Sequence, residues 1–151
     1  MFSLKKLVIG PIVLAVLLAG CSSSAATSNA PGGNGSPAAG GSTVMVKNLG
    51  GANGLVAASN NMTLYTFDSD VANNGKSACT GGCATTWPPL TVPSGTTPTA
   101  GAGASGALKT ITRDDGSLQV TYNGMPLHFY KGDTAPGDTN GHYPGWNIAK
   151  P

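Results

Sequence analysis

Cys79 and Cys83, His128 and His142, and six aspartates hold most of the chemistry available after position 21 of this 151-residue chain. The cysteines enclose Thr80-Gly81-Gly82, a C-x3-C spacing whose glycines let the backbone bring both Cβ atoms within bonding range. It is neither the C-x2-C of zinc and thioredoxin-like centres nor the C-x-x-C-H of haem attachment. His128, His142, Met45, Met62 and Met125 are donor types for copper, yet no spacing ties any two of them together. Asp68-x-Asp70 before Asn73-Asn74-Gly75, and Asp133 before Asp138-Thr139-Asn140-Gly141, have the composition of calcium loops. They lack the EF-hand spacing and its closing glutamate. No nucleophile elbow, Walker loop or Ser-His-Asp order is present. Aspartates alone, with no supporting motif, are a poor basis for acid chemistry. The expectation is therefore a non-enzyme with no catalytic residue, no dedicated metal site and no cofactor.

The elements that must position these side chains are strands. Glutamate is absent, long helix formers are scarce, and Gly, Thr, Asn, Ser and Pro dominate, a composition that favours turns and strands. Residues 55–59 and 62–67 flank Asn60-Asn61, residues 108–113 and 118–122 flank Asp114-Asp115-Gly116, and Tyr122 and Met125 flank Asn123-Gly124. Leu118, Val120 and Tyr122 alternate with polar residues, as in a half-buried strand. No stretch has a helical period. Segment 94–107 is of low complexity and separates two flanks, each too small for a stable core of its own.

The flanks repeat one another. Met62-Thr-Leu-Tyr65-Thr-Phe67-Asp-Ser-Asp70 aligns with Met125-Pro-Leu-His128-Phe-Tyr130-Lys-Gly-Asp133 at an offset of 63. Trp87 has a counterpart in Trp146. The expected fold is all-β, with two β-hairpin/meander repeats packed as one pseudo-twofold small domain. On an extended strand Tyr65 and Phe67 share a side, as do His128 and Tyr130. These aromatics are expected to form the core between the repeats, with Asp70 and Asp133 bonding backbone amides to close the following loops. The alternative is an exposed aromatic surface for a ligand, with the aspartates at its edge.

The N-terminus points to export. Lys5 and Lys6 precede an apolar run, residues 7–19, too short to span a bilayer, where a helix needs ~20 residues. It ends in Leu18-Ala19-Gly20-Cys21, which resembles the lipobox of bacterial lipoprotein precursors. That resemblance implies a lipid on Cys21 and cleavage before it, and two or three acyl chains give lasting attachment. The expected layout is a signal peptide over 1–20, a lipidated N-terminus and disordered linker over 21–43, and a β domain over 44–151. Its repeats run from about 54–93 and 108–151, with the loop 94–107 between them. Removing Lys5 and Lys6 turns the formal +2 into six cations against six anions. That excludes a basic patch for nucleic acid and a polybasic segment for anionic lipid. In the oxidising compartment of an exported protein, a Cys79–Cys83 disulfide is the default.

Tyr65-x-Phe67-x-x-Asp70, the Cys79–Cys83 loop, Trp87-Pro88-Pro89 and Gly132-Asp133-Thr134 resemble the secreted-repeat lipoproteins, a family marked by a Tyr-x-aromatic-x-x-Asp motif. The resemblance covers nearly all of residues 54–151 and implies location and repeat architecture rather than a reaction. His128 stands where that motif has Tyr. The expected function is a membrane-tethered, non-enzymatic envelope or binding module, on the periplasmic side or the cell surface. Its partners are the membrane, through Cys21, and a protein or small molecule. The rival is a periplasmic metal-binding or redox protein using the His, Met or Cys residues.

Overall fold

Hairpins of similar build open both halves of the chain. The structure, a computed structural model, describes residues 42–151; the signal peptide, Cys21 and nearly all of the expected linker lie outside that range. Strands β1 (Val44–Leu49) and β2 (Ala52–Ala57) pair antiparallel around a Gly50-Gly51 turn. The chain continues through β3 (Tyr65–Phe67), a five-residue helix α1 (Gly82–Thr86) and β4 (Thr91–Val92). A second hairpin, β5 (Leu108–Thr112) with β6 (Leu118–Tyr122), leads into β7 (Met125–Pro126) and finally β8 (Trp146–Ile148). The architecture is all-β in two repeats, with α1 the one departure from the strand-only expectation. That helix is a single turn between the cysteine loop and Trp87, too short to leave a period in the sequence.

The halves meet where the repeat predicts. Tyr65 and His128, equivalent at the offset of 63, exchange both backbone hydrogen bonds: Tyr65 N–H donates to His128 O at 2.8 Å and His128 N–H to Tyr65 O at 3.0 Å. Such a pair has a local twofold axis, and the bonds around it obey the same symmetry. Leu64 N–H donates to Leu55 O (2.9 Å) and Leu127 N–H to Val120 O (3.0 Å). Asp68 N–H reaches Gly145 O (2.9 Å) and Lys131 N–H reaches Thr86 O (2.9 Å). By these bonds the equivalence runs at 63 along the aromatic strands, 65 for β2 and β6, and 59 for the segments bearing the tryptophans.

Alternation along the two central strands divides the interior. Leu64 and Leu127 face an aliphatic core with Val44, Leu55, Leu90 and Val120. Their neighbours Tyr65 and His128 face the other way, where Tyr65, Cys79, Trp87 and Trp146 cluster. Each large apolar side chain removed from water contributes roughly 1.5–3 kcal/mol, so neither repeat alone retains enough. Strand β6 departs from the half-buried pattern: Gln119 and Thr121 are buried along with Val120 and Tyr122. It lies between β4 and β5 and also pairs with β7, so both its edges are hydrogen-bonded; Val120 and Tyr122 pack into the aliphatic core, and Gln119 meets buried His128.

Turn chemistry accounts for the differences between the hairpins. Asn123 and Gly124 both have positive φ, 49° and 84°, as a two-residue type I′ turn requires. The corresponding connection in the first half is longer. Strand β2 ends at Ala57, and the loop is closed by Asn61 N–H to Ala57 O (2.8 Å) and Ala57 N–H to Met62 O (2.9 Å). The Asn60-Asn61 pair is therefore the end of a wider turn and not a two-residue hairpin.

The low-complexity segment 94–107 is an ordered loop. Thr43 N–H donates to Thr99 O (2.8 Å), Gly101 N–H to Val44 O (2.7 Å) and Val46 N–H to Ala102 O (2.9 Å). It runs parallel along β1 and covers an edge that would otherwise present unpaired amides. A Cβ on Gly101 would lie 2.5 Å from Ser42 Oγ and 3.0 Å from the Val44 carbonyl oxygen. Gly101→Ala is expected to destabilise by about 1–3 kcal/mol through overpacking, while exposed Ser94→Ala leaves stability unchanged. Urea unfolding of the two variants checks this; equal midpoints would remove the loop from the folded core.

Candidate functional site

The motif aromatics form a pile across the twofold axis. Trp87 and Trp146 stack on each other with centroids 3.7 Å apart and planes 3° from parallel. Phe67 stacks on the outer face of Trp146 at 4.4 Å, and Tyr130 lies against Trp87 at 4.5 Å. Tyr65 meets Trp87 edge-on at 5.5 Å, and His128 meets Trp146 edge-on at 5.1 Å. Offset-stacked and edge-to-face pairs are the favoured aromatic geometries. The two tryptophans, Tyr65 and His128 are buried, while Phe67 and Tyr130 are half-buried at the ends of the pile.

The aspartates perform two tasks each. Asp70 Oδ1 accepts Ala78 N–H at 2.6 Å and Asp133 Oδ1 accepts Asn140 N–H at 2.9 Å, which closes the loop after each aromatic strand. The other oxygen crosses to the opposite repeat. Tyr65 donates its hydroxyl to Asp133 Oδ2 at 2.6 Å, and His128 Nε2 lies 3.2 Å from Asp70 Oδ2. The aromatic of each motif thus binds the aspartate of the other. Burial first, and then the hydrogen bond to Asp133, push the Tyr65 phenol above its ordinary pKa.

Where His replaces Tyr, other side chains fill the difference. His128 Nδ1 lies 3.3 Å from Trp87 O. Its Nε2 is also 3.3 Å from Gln119 Nε2 and 3.5 Å from Ser77 Oγ, which in turn donates to Asp70 Oδ2 at 3.3 Å. Gln119 Oε1 accepts from Arg113 Nη1 at 2.6 Å, and Arg113 Nη2 donates to Cys79 O at 2.8 Å. Sequence reasoning missed Ser77, Arg113 and Gln119. The available signal was rarity, since Arg113 and Gln119 are the only residues of their types in the chain.

Cys79 and Cys83 are joined, with Cα atoms 5.2 Å apart. Cys79 is fully buried against the aromatic cluster. The disulfide braces a wall of the core. The structure does not join the suggested metal donors: His128 is sealed in the interior, whereas His142 is exposed with Nδ1 3.3 Å from Trp146 O. Among the described residues no group of three or more His, Cys, Asp or Glu could hold a metal ion. In the suggested calcium loops, Asp138 Oδ2 accepts Thr134 N–H (2.8 Å) and Ala135 N–H (2.9 Å), which lower its pKa.

Comparison with known families finds a secreted repeat of unknown function matching residues 51–91 and again 109–150, together more than half of the chain. Nothing among curated proteins or solved structures matches it.

Two expectations follow. Trp146→Ala should cost about 3–5 kcal/mol, half-buried Phe67→Ala roughly half that, and Asp133→Ala about 1–3 kcal/mol by stranding the Tyr65 hydroxyl and Asn140 N–H. Urea unfolding ranks them, and a Trp146→Ala that unfolds like the parent would contradict an architectural pile. The second concerns pH. The unfolded Tyr65 phenol ionises near ~10, and its folded value is higher. Its contribution is therefore whole below that pH and is lost progressively above it. The stability gap between the parent and Tyr65→Phe should narrow as pH rises past 10, as equilibrium unfolding at pH 8 and pH 11 would show.

Proposed function

The chain belongs to a family of secreted repeats of unknown function, and from that premise we propose that it is a lipid-anchored, non-enzymatic module of the bacterial cell envelope. The anchor is Cys21, exposed as the new N-terminus when residues 1–20 are removed. The Lys5-Lys6 pair, the short apolar run and Leu18-Ala19-Gly20-Cys21 support export followed by lipidation. In this reading the linker holds the β domain away from the membrane surface, where it binds a partner or contributes to the envelope.

The non-enzymatic part rests on one observation above the rest. The motif side chains shared by the repeats point inward and are engaged with each other. Tyr65 and His128 are fully buried, and Asp70 and Asp133 are 6% and 7% exposed. The carboxylate oxygens of both aspartates already meet protein donors. A reaction needs groups within hydrogen-bond reach of a substrate, and these are committed to holding one repeat on the other. The metal or redox alternative would need His128 or the cysteines free. Both nitrogens of His128 lie within 3.3 Å of protein partners, and the thiols are joined to each other.

Cys21→Ser is expected to abolish lipidation and slow processing, so that a precursor-sized species accumulates and no mature-sized species enters the detergent phase on partitioning. A variant that still enters the detergent phase at mature size would refute the anchor.

A further inference from the structure

The departures from twofold symmetry converge on one cleft. By the backbone equivalences above, Tyr65 and Gly54 correspond to His128 and Gln119; Leu49, paired with Ala52, corresponds to Arg113, whose N–H meets Ser117 O, so that β1 and β5 are related by an offset of 64. On the Leu49 side, a Cβ on Gly54 would lie 2.6 Å from Leu49 Cδ1 and 2.7 Å from Ile148 Cγ2, so apolar side chains fill that space. The small cleft that remains there, about 250 Å³, is lined by Leu49, Asn53, His142 and Ile148 among others. Its mate is larger, about 390 Å³, and more polar, with Lys76, Ser77, Thr80, Arg113, Asp114 and Asp115 among its lining residues. A leucine that closes one cleft is thus an arginine that lines the other.

Arg113 is held ready. Nη1 donates to Gln119 Oε1 and Nη2 to Cys79 O, which uses two of the five N–H donors of a guanidinium. Among the described residues no carboxylate lies within ion-pair distance of it; the ion pair found there is His128 with Asp70. Gln119 is fixed in turn by donating to Leu127 O at 3.0 Å. The facing wall, Ser77 to Ala84, is braced by the disulfide and by Asp70 accepting from Ala78 N–H. Asp115 is occupied in its turn, where Oδ1 accepts Ser117 N–H (2.9 Å) and Oγ (2.6 Å). A preset planar cation beside the flexible Lys76 ammonium and the exposed Thr80 hydroxyl suits an oxyanion, which an arginine fork meets with parallel hydrogen bonds.

We propose that the cleft between the β5–β6 turn and the Cys79–Cys83 loop binds the oxyanion of a small organic ligand, a carboxylate or a phosphoryl group. Arg113 and Lys76 are its recognising residues, with Thr80 on the facing wall. Asp114 and Asp115 on the lip disfavour a bare dianion and suit a ligand that also presents hydroxyl or ammonium groups. The proposal rests on the binding-module reading for its biological sense, but not on the lipid anchor.

The test is an amide NMR titration of the full mature chain in detergent with sodium acetate and, separately, sodium phosphate, at constant ionic strength. Saturable shifts are expected at Ser77, Thr80, Arg113 and Asp114, and none at Asn53 or Asn147 of the smaller cleft. Saturation with phosphate alone assigns a phosphoryl ligand; saturation with acetate alone or with both assigns a carboxylate. Lys76→Ala removes an exposed side chain that makes no hydrogen bond among the described residues and should weaken binding by about two- to fivefold. Arg113→Lys keeps the charge but loses the fork and should weaken it further, with dispersion of the core amides reporting that it folds. Neither probe saturating, equal shifts at both clefts, or unchanged affinity in Lys76→Ala overturns the site. Loss of binding with detergent partitioning intact sinks the cleft and spares the anchored module; binding without partitioning does the reverse.

Discussion

One pair of residues organises this domain. Tyr65 and His128 exchange both of their backbone hydrogen bonds, which places equivalent residues of the two repeats opposite one another. Antiparallel pairing of this kind has a twofold axis built into it, so the remaining structure inherits that axis. Once this register is set, period-2 alternation sends Leu64 and Leu127 to the aliphatic core and the aromatic side chains to the other. A slip of one residue would exchange the faces and destroy both cores.

The motif then reads as a cross-connection. An aromatic residue and an aspartate five positions later do not touch within their own strand and loop. Each finds its mate in the other copy, Tyr65 with Asp133 and His128 with Asp70. The aspartate also closes its own loop through a backbone amide, so it ties local geometry to the packing between repeats. Losing one aspartate therefore loosens both copies. The stacked tryptophans on the axis belong to neither repeat alone, which is why a single copy has no core to fold around.

Much of this was legible in the sequence because it was written twice. The offset of 63, the Asn123-Gly124 turn, the inward-facing aromatics and the loop-closing role of the aspartates all follow from pattern and turn chemistry. Strand β1 was not foreseen, since residues 44–49 lack a partner in the repeat alignment until the pairing of the two hairpins relates β1 to β5 at an offset of 64. The order of loop 94–107 was hidden for a different reason. Its Gly, Ala and Thr residues bury little and are held by backbone bonds to β1, which composition does not reveal. Burial of Gln119 was invisible because its partners lie at positions 113 and 128, on different elements.

Those same partners show how a symmetric fold tolerates asymmetry. Replacing a tyrosine with a histidine at 128 shortens the reach to Asp70 and leaves a buried polar space. An unmatched buried polar group costs about 1–3 kcal/mol, so the change requires further changes around it. Gln119 stands where the first repeat has Gly54, and its amide reaches the imidazole. The other end of that amide then needs a donor, which Arg113 supplies where the first repeat has Leu49. The guanidinium also takes the Cys79 carbonyl, which draws in the disulfide loop that the second repeat lacks. Each substitution makes room or need for the next, from the twofold axis outward to the cleft that Arg113 lines. The backbone symmetry survives because the differences are carried by side chains along a single path.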